Sequence, residues 1–93
     1  MADEVGQVQP QTEPARFKKG DLLQIRSEMD WNPSLYRVRH ATRKRLVLGQ
    51  LSDTRRQGYI GLDVAFDLTD PEDVAELVPA TAEILALYPI HVR

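Results

Sequence analysis

Eleven residues, GYIGLDVAFDL at 58–68, constrain the fold of this chain more than any other stretch. Ile60, Leu62, Val64, Phe66 and Leu68 alternate without a break against Tyr59, Gly61, Asp63, Ala65 and Asp67. Alternate side chains leave a strand on opposite faces, so this period of two predicts a strand with one apolar face. RLVLGQL (45–51), SLYRVRH (34–40) and DLLQIRS (21–27) read as three more strands, and Lys-Gly-Asp at 19–21 as the turn that opens the first.

Register follows from keeping apolar residues together. Pairing Val38 with Leu48 and His40 with Leu46 leaves a short loop at 42–44 and aligns Tyr36 and Val38 with Leu46 and Leu48. Leu48 opposite Leu62 and Leu46 opposite Val64 extend that face, placing Val47 opposite Asp63 and Arg43 opposite Asp67 on the other. A slip of one residue would turn Arg37 and Arg39 into the core, which disfavours it. The expectation is a three-stranded meander with His40 at the edge of its apolar face, buried or half-buried in a structural role.

Beyond the meander, TDPEDVAELVP reads as a short helix. Asp70 suits its cap, Pro71 its first position, and Glu72 and Asp73 its positive end. Val74, Leu77 and Val78 share one face of that helix and Pro79 ends or kinks it. TAEILALY (81–88) reads as a second short helix with Ile84, Leu87 and Tyr88 inward, although a strand is open there too, and Ile90 with Val92 as a closing strand. The predicted class is mainly β with one or two short C-terminal helices, a small antiparallel barrel or meander sheet. Short strands in meander order, opened by FKKGDLLQIRS, resemble a small SH3-like barrel over residues 17–51; the Gly-Asp opening is similar to that of ribosome- and transcription-associated barrels of the KOW type, whose later glycines this chain lacks.

The first fifteen residues, MADEVGQVQPQTEPA, hold three Gln, two Pro, three acids and only scattered apolar side chains. Such a segment buries too little to offset the entropy of ordering it, so a disordered tail at 1–15 and one domain at 16–93 are expected. The tail has no basic start or apolar run of a secretory signal. No stretch approaches the ~20 apolar residues that span a bilayer. With no cysteine the chain has neither disulfides nor thiolate metal sites, which points to the cytoplasm.

Charge is divided along the chain. Residues 16–56 hold eleven Lys or Arg against four acids, a net of +7, whereas residues 57–92 hold seven acids and no Lys or Arg, a net of −7. Two readings compete for the basic half. Arg43, Lys44 and Arg45 at a turn, with Arg55 and Arg56 in the next loop, form a ribbon (37–56) able to contact nucleic-acid phosphates, in transcription or translation. Alternatively those charges are answered by the acidic half. Successive meander turns lie at opposite ends of a sheet, roughly 20 Å apart at ~3.4 Å per residue, so the ribbon need not form one patch.

A second candidate is EMDWNPSLY (28–36), where Trp31 precedes the turn-forming Asn32-Pro33. An aromatic on such a loop suits the capture of extended proline-containing segments, and tryptophan is the residue type most enriched at interface hot spots. The competing expectation is that Trp31 folds over the open end of a thin core. The acids from Asp63 to Glu76 match no calcium loop, and Asp70, Glu72 and Asp73 are explained by helix capping and the helix dipole, so no metal site is expected. His40 and His91 are the only histidines, and Ser27, Ser34 and Ser52 lack the context of a nucleophile, so neither catalysis nor a cofactor is expected. The sequence points to a small non-enzymatic adaptor or regulatory module. Its partner anchors are Trp31, Tyr36, Arg37 and Arg39, and the charge split suits a protein partner or a head-to-tail homo-oligomer.

Overall fold

The computed structural model describes residues 17–54 and 58–91. The expected tail at 1–15, the loop cations Arg55 and Arg56, and Val92 of the expected closing strand lie outside the described residues. The architecture is one five-stranded antiparallel sheet with two short helices. Its strands are β1 (Leu22–Ile25), β2 (Tyr36–Ala41), β3 (Arg45–Leu51), β4 (Tyr59–Asp67) and β5 (Leu77–Pro79), and its helices are α1 (Pro71–Ala75) and α2 (Ala82–Ala86). The spatial order is β4–β3–β2–β1–β5, so the sheet is open, with β4 and β5 at its edges. Among the described residues no helix is long and apolar enough to cross a membrane.

The predicted meander is present, with two local corrections to its register. Val38 faces Leu48 as expected, but the ladder then shifts, and His40 meets Val47 while Ala41 meets Leu46. That irregularity leaves His40 exposed, not on the apolar face. Between β3 and β4, Leu46 faces Phe66 and Leu48 faces Val64, two residues on from the expected pairs. A shift of two preserves the facing of every side chain, which is why the apolar pattern alone could not exclude it. Arg45 thereby takes the place opposite Asp67 that was expected for Arg43, and Ala65 faces Val47 instead of Asp63.

The apolar residues divide between two clusters. Leu23, Ile25, Tyr36, Val38, Leu46, Leu48, Phe66 and Leu77 form the larger, and Leu35, Leu51, Ile84 and Tyr88 the smaller. β4 contributes less than its alternation implied. Phe66 is buried and Leu68 packs against the larger cluster, but Ile60, Leu62 and Val64 are 42%, 90% and 36% exposed. The cause is positional, because β4 is an edge strand and its pairing is irregular opposite Gly49, between Leu48 and Gln50.

Asp70 caps α1 as expected, its side chain accepting from the Glu72 N–H at 2.9 Å, and Pro71 opens the helix. The helix ends at Ala75, however, and Leu77–Pro79 leaves it to pair with Leu23–Ile25 as β5. Val74, Leu77 and Val78 therefore do not share a helix face. Pro79 is tolerated because β5 is an edge. Residues 82–86 are helical, with the Thr81 side chain accepting from the Ile84 N–H at 3.2 Å. Ile84 and Tyr88 point inward, but Leu87 is 62% exposed. The expected closing strand at 90–92 is a 3-10 turn over Pro89–His91 in its described part.

Candidate functional site

At the end of β1 the chain makes a 3-10 turn over Arg26–Glu28 before reaching Trp31. This turn is fixed from three sides. Toward α1 and β5, the Arg26 N–H donates to the Glu76 carbonyl at 2.9 Å, Arg26 Nε donates to the Ala75 carbonyl at 2.9 Å, and the Ser27 N–H donates to Glu76 Oε1 at 2.8 Å. Within the turn, the Asn32 N–H donates to the Glu28 carbonyl at 2.9 Å. From below, the Tyr36 hydroxyl donates to the Glu28 carboxylate at 2.9 and 3.2 Å.

Trp31 stands on this framework with its indole N–H donating to the Ser27 carbonyl at 2.9 Å. Its polar atom is satisfied within the turn, yet the side chain is 73% exposed, so what it offers to solvent is apolar ring. Met29 and Pro33 of the same turn form one wall of a groove of about 260 Å³, whose other wall is Glu83, Ile84 and Leu87 of the α2 region. Gln24 and Thr81 complete the lining and hold the two walls together: Thr81 Oγ1 donates to the buried Gln24 Oε1 at 3.1 Å. The α2 wall was not foreseen as part of a site. The signal available in the sequence was Leu87, which a five-residue helix has no second face to bury.

The other expected anchors lie elsewhere. Tyr36 is buried at 4% exposure; burial first, then the hydrogen bond to Glu28 and its negative charge, push its phenol well above the ordinary value. It supports the Trp31 turn from beneath and presents nothing to a partner. Arg39 reaches toward β4, where its guanidinium lies 4.3 Å from the centre of the Tyr59 ring and 3.1 Å from Asp63 Oδ1. Arg37 is half-buried opposite Gly49.

The basic hairpin is partly answered by the acidic half. Lys44 and Arg45 share a concavity with Asp67 and Asp73 at the far end of β4. Asp67 accepts from the Thr69 hydroxyl at 2.6 Å and the Thr69 N–H at 2.9 Å, which hold its carboxyl below the usual carboxylate range. Arg43 faces away from these acids, into a separate concavity with Lys18, Lys19 and His40. Among the described residues no group of three or more His, Asp or Glu is placed to hold a metal ion. Comparison with protein-family models, curated proteins and solved structures finds no match for this chain.

Proposed function

We propose that this chain is a small non-enzymatic protein-binding module, an adaptor or regulatory subunit of a larger cytoplasmic assembly. Its ligand is an extended, proline-containing apolar segment laid in the groove beside Trp31. The observation that carries this reading is an indole whose N–H is already bonded within its own turn while its ring is 73% exposed, on a turn whose Met29 and Pro33 line a groove with Ile84 and Leu87. A side chain held in place before binding loses little entropy on contact, which favours affinity. The strand order β4–β3–β2–β1–β5, with α1 linking the two edges, supports an SH3-like organisation. Peptide capture beside a loop aromatic is a recognition mode such small β modules use. The absence of cysteine supports a reducing compartment.

The test is a nuclear magnetic resonance titration of the full chain with a panel of apolar and proline-containing peptides. At least one peptide is expected to shift the resonances of Met29, Ile84, Leu87 and the Trp31 indole together. Trp31→Ala should weaken that peptide by about 2 kcal/mol or more, as for an interface hot spot, with far-ultraviolet circular dichroism unchanged. Shifts confined to other surfaces, or no response across the panel, would sink the reading.

A further inference from the structure

We propose a second site, at the opposite end of β2: the concavity between Phe17–Lys19 and His40–Arg43 binds the phosphate backbone of a nucleic acid, without regard to base sequence. Two segments about twenty residues apart in sequence meet there for a definite reason. The Gly20 N–H donates to the Val38 carbonyl at 2.8 Å and the Val38 N–H donates to the Asp21 carbonyl at 2.9 Å, which fastens the opening turn onto β2. Gly20 has φ +98°, a left-handed conformation that glycine adopts without strain, and so the turn can close. Lys18 and Lys19 are thereby set around the same hollow of about 480 Å³ as His40 and Arg43.

What singles out this hollow is that, among the described residues, no acid lines it. Other cations of the basic half have acids beside them: Arg39 pairs with Asp63, and Lys44 and Arg45 share a concavity with Asp67 and Asp73. The nearest acid in sequence, Asp21, is turned back into its own turn, where Oδ2 accepts from the Lys18 N–H at 2.9 Å. Phe17 and Ala41 pack against the larger apolar cluster and give the hollow an apolar floor beneath its charged rim. Lys18, Lys19, His40 and Arg43 are all exposed, on flexible side chains. Such a rim neutralises a string of charges well but holds no small anion in one orientation. A phosphodiester chain meets it at several points and gains from the counterions it releases. The expected ribbon thus keeps Arg43 and recruits Lys18 and Lys19 from the opening turn.

The test is fluorescence anisotropy of labelled mixed-sequence single-stranded DNA and RNA with the full chain across a salt series. Binding should weaken steeply with salt, and inorganic polyphosphate should compete. The pair Lys19→Ala and Arg43→Ala should lower the slope of log affinity against log salt by about 1.4, near 0.7 for each phosphate of a single strand left without its cation. Arg37→Ala removes the same unit charge from mid-sheet and should change affinity by less than about twofold. Should the paired variant lose its fold by circular dichroism, Lys19→Gln with Arg43→Gln replaces it. The site is overturned if the chain binds neither oligonucleotide at low salt, if polyphosphate fails to compete, if the paired variant binds normally, or if Arg37→Ala is as damaging. None of these outcomes depends on the groove beside Trp31.

Discussion

Two glycines show how a missing side chain is required for different reasons. A Cβ on Gly49 would lie 2.6 Å from Arg39 Cδ and 2.6 Å from Tyr59 Cδ1, so the stack of Arg39 on Tyr59 exists because position 49 has no side chain. Gly61 has empty space around it but φ +70°, where an L residue is strained. Gly49→Ala is therefore expected to cost about 1–3 kcal/mol by overpacking. Arg39→Ala should relieve part of that cost in the double variant. Gly61→Ala should cost about 1 kcal/mol from the backbone alone, with no such rescue. Denaturant unfolding of the four variants checks both. Tyr36 adds a case governed by protonation. Its phenol is raised above the ordinary 10.0, so below pH 10 both folded and unfolded chains keep the proton. Above pH 10 the unfolded chain releases it first, and stability falls as pH rises toward the folded value, by at most about 1.4 kcal/mol per pH unit. Tyr36→Phe should cost about 1–2 kcal/mol at neutral pH by removing the bond to Glu28. It should also flatten the alkaline loss, which unfolding curves at rising pH would reveal.

Among the elements, β4 shows how far an apolar pattern can be trusted. Its alternation correctly gave a strand and put Val64 and Phe66 on the face of Leu48 and Leu46, because both follow from the pleat. Burial depends on what lies over a strand, and nothing in the local sequence says that β4 is an edge or that its pairing breaks opposite Gly49. Leu62→Lys, at 90% exposure, should therefore change stability by less than about 0.5 kcal/mol, whereas the fully buried Leu48→Ala should cost about 2–5 kcal/mol. Equal costs in thermal unfolding would mean that Leu62 is packed in the folded protein. The same limit explains β5. Val74, Leu77 and Val78 fit a helical face on spacing alone, but Leu77 instead joins the larger cluster by pairing with Ile25, fifty-two residues earlier. The α1 cap was legible because it is local chemistry. The groove was legible only in the Trp31 turn that supplies its Met29 and Pro33 wall, since its other wall comes from a helix whose docking on Gln24 is a long-range bond.

At the scale of the whole molecule, the charge split along the chain is partly folded away. β3 and β4 run antiparallel, which brings Arg45 opposite Asp67, and the ion pair of Arg39 with Asp63 closes the same gap from β2. The two candidate surfaces are a basic hollow at one end of β2 and an exposed tryptophan beyond the other. The six residues of β2 separate them by about 20 Å at ~3.3 Å per residue. Trp31 is the only tryptophan in the chain, so its fluorescence reports on one end alone. Because the ring is 73% exposed, its emission should lie near that of a solvated indole. A peptide that fills the groove should move that emission to the blue by removing water from the ring. Inorganic polyphosphate, which does not absorb in this range, should leave the emission in place while it competes with oligonucleotide at the basic hollow. With both bound, the two responses should add, because the sites share no residue and their contributions to binding are independent at this distance. A blue shift produced by polyphosphate alone would mean that the two ends are one surface, or that the sheet transmits a change between them. Independence would make the protein a bridge, holding a peptide at one end and a phosphate chain at the other.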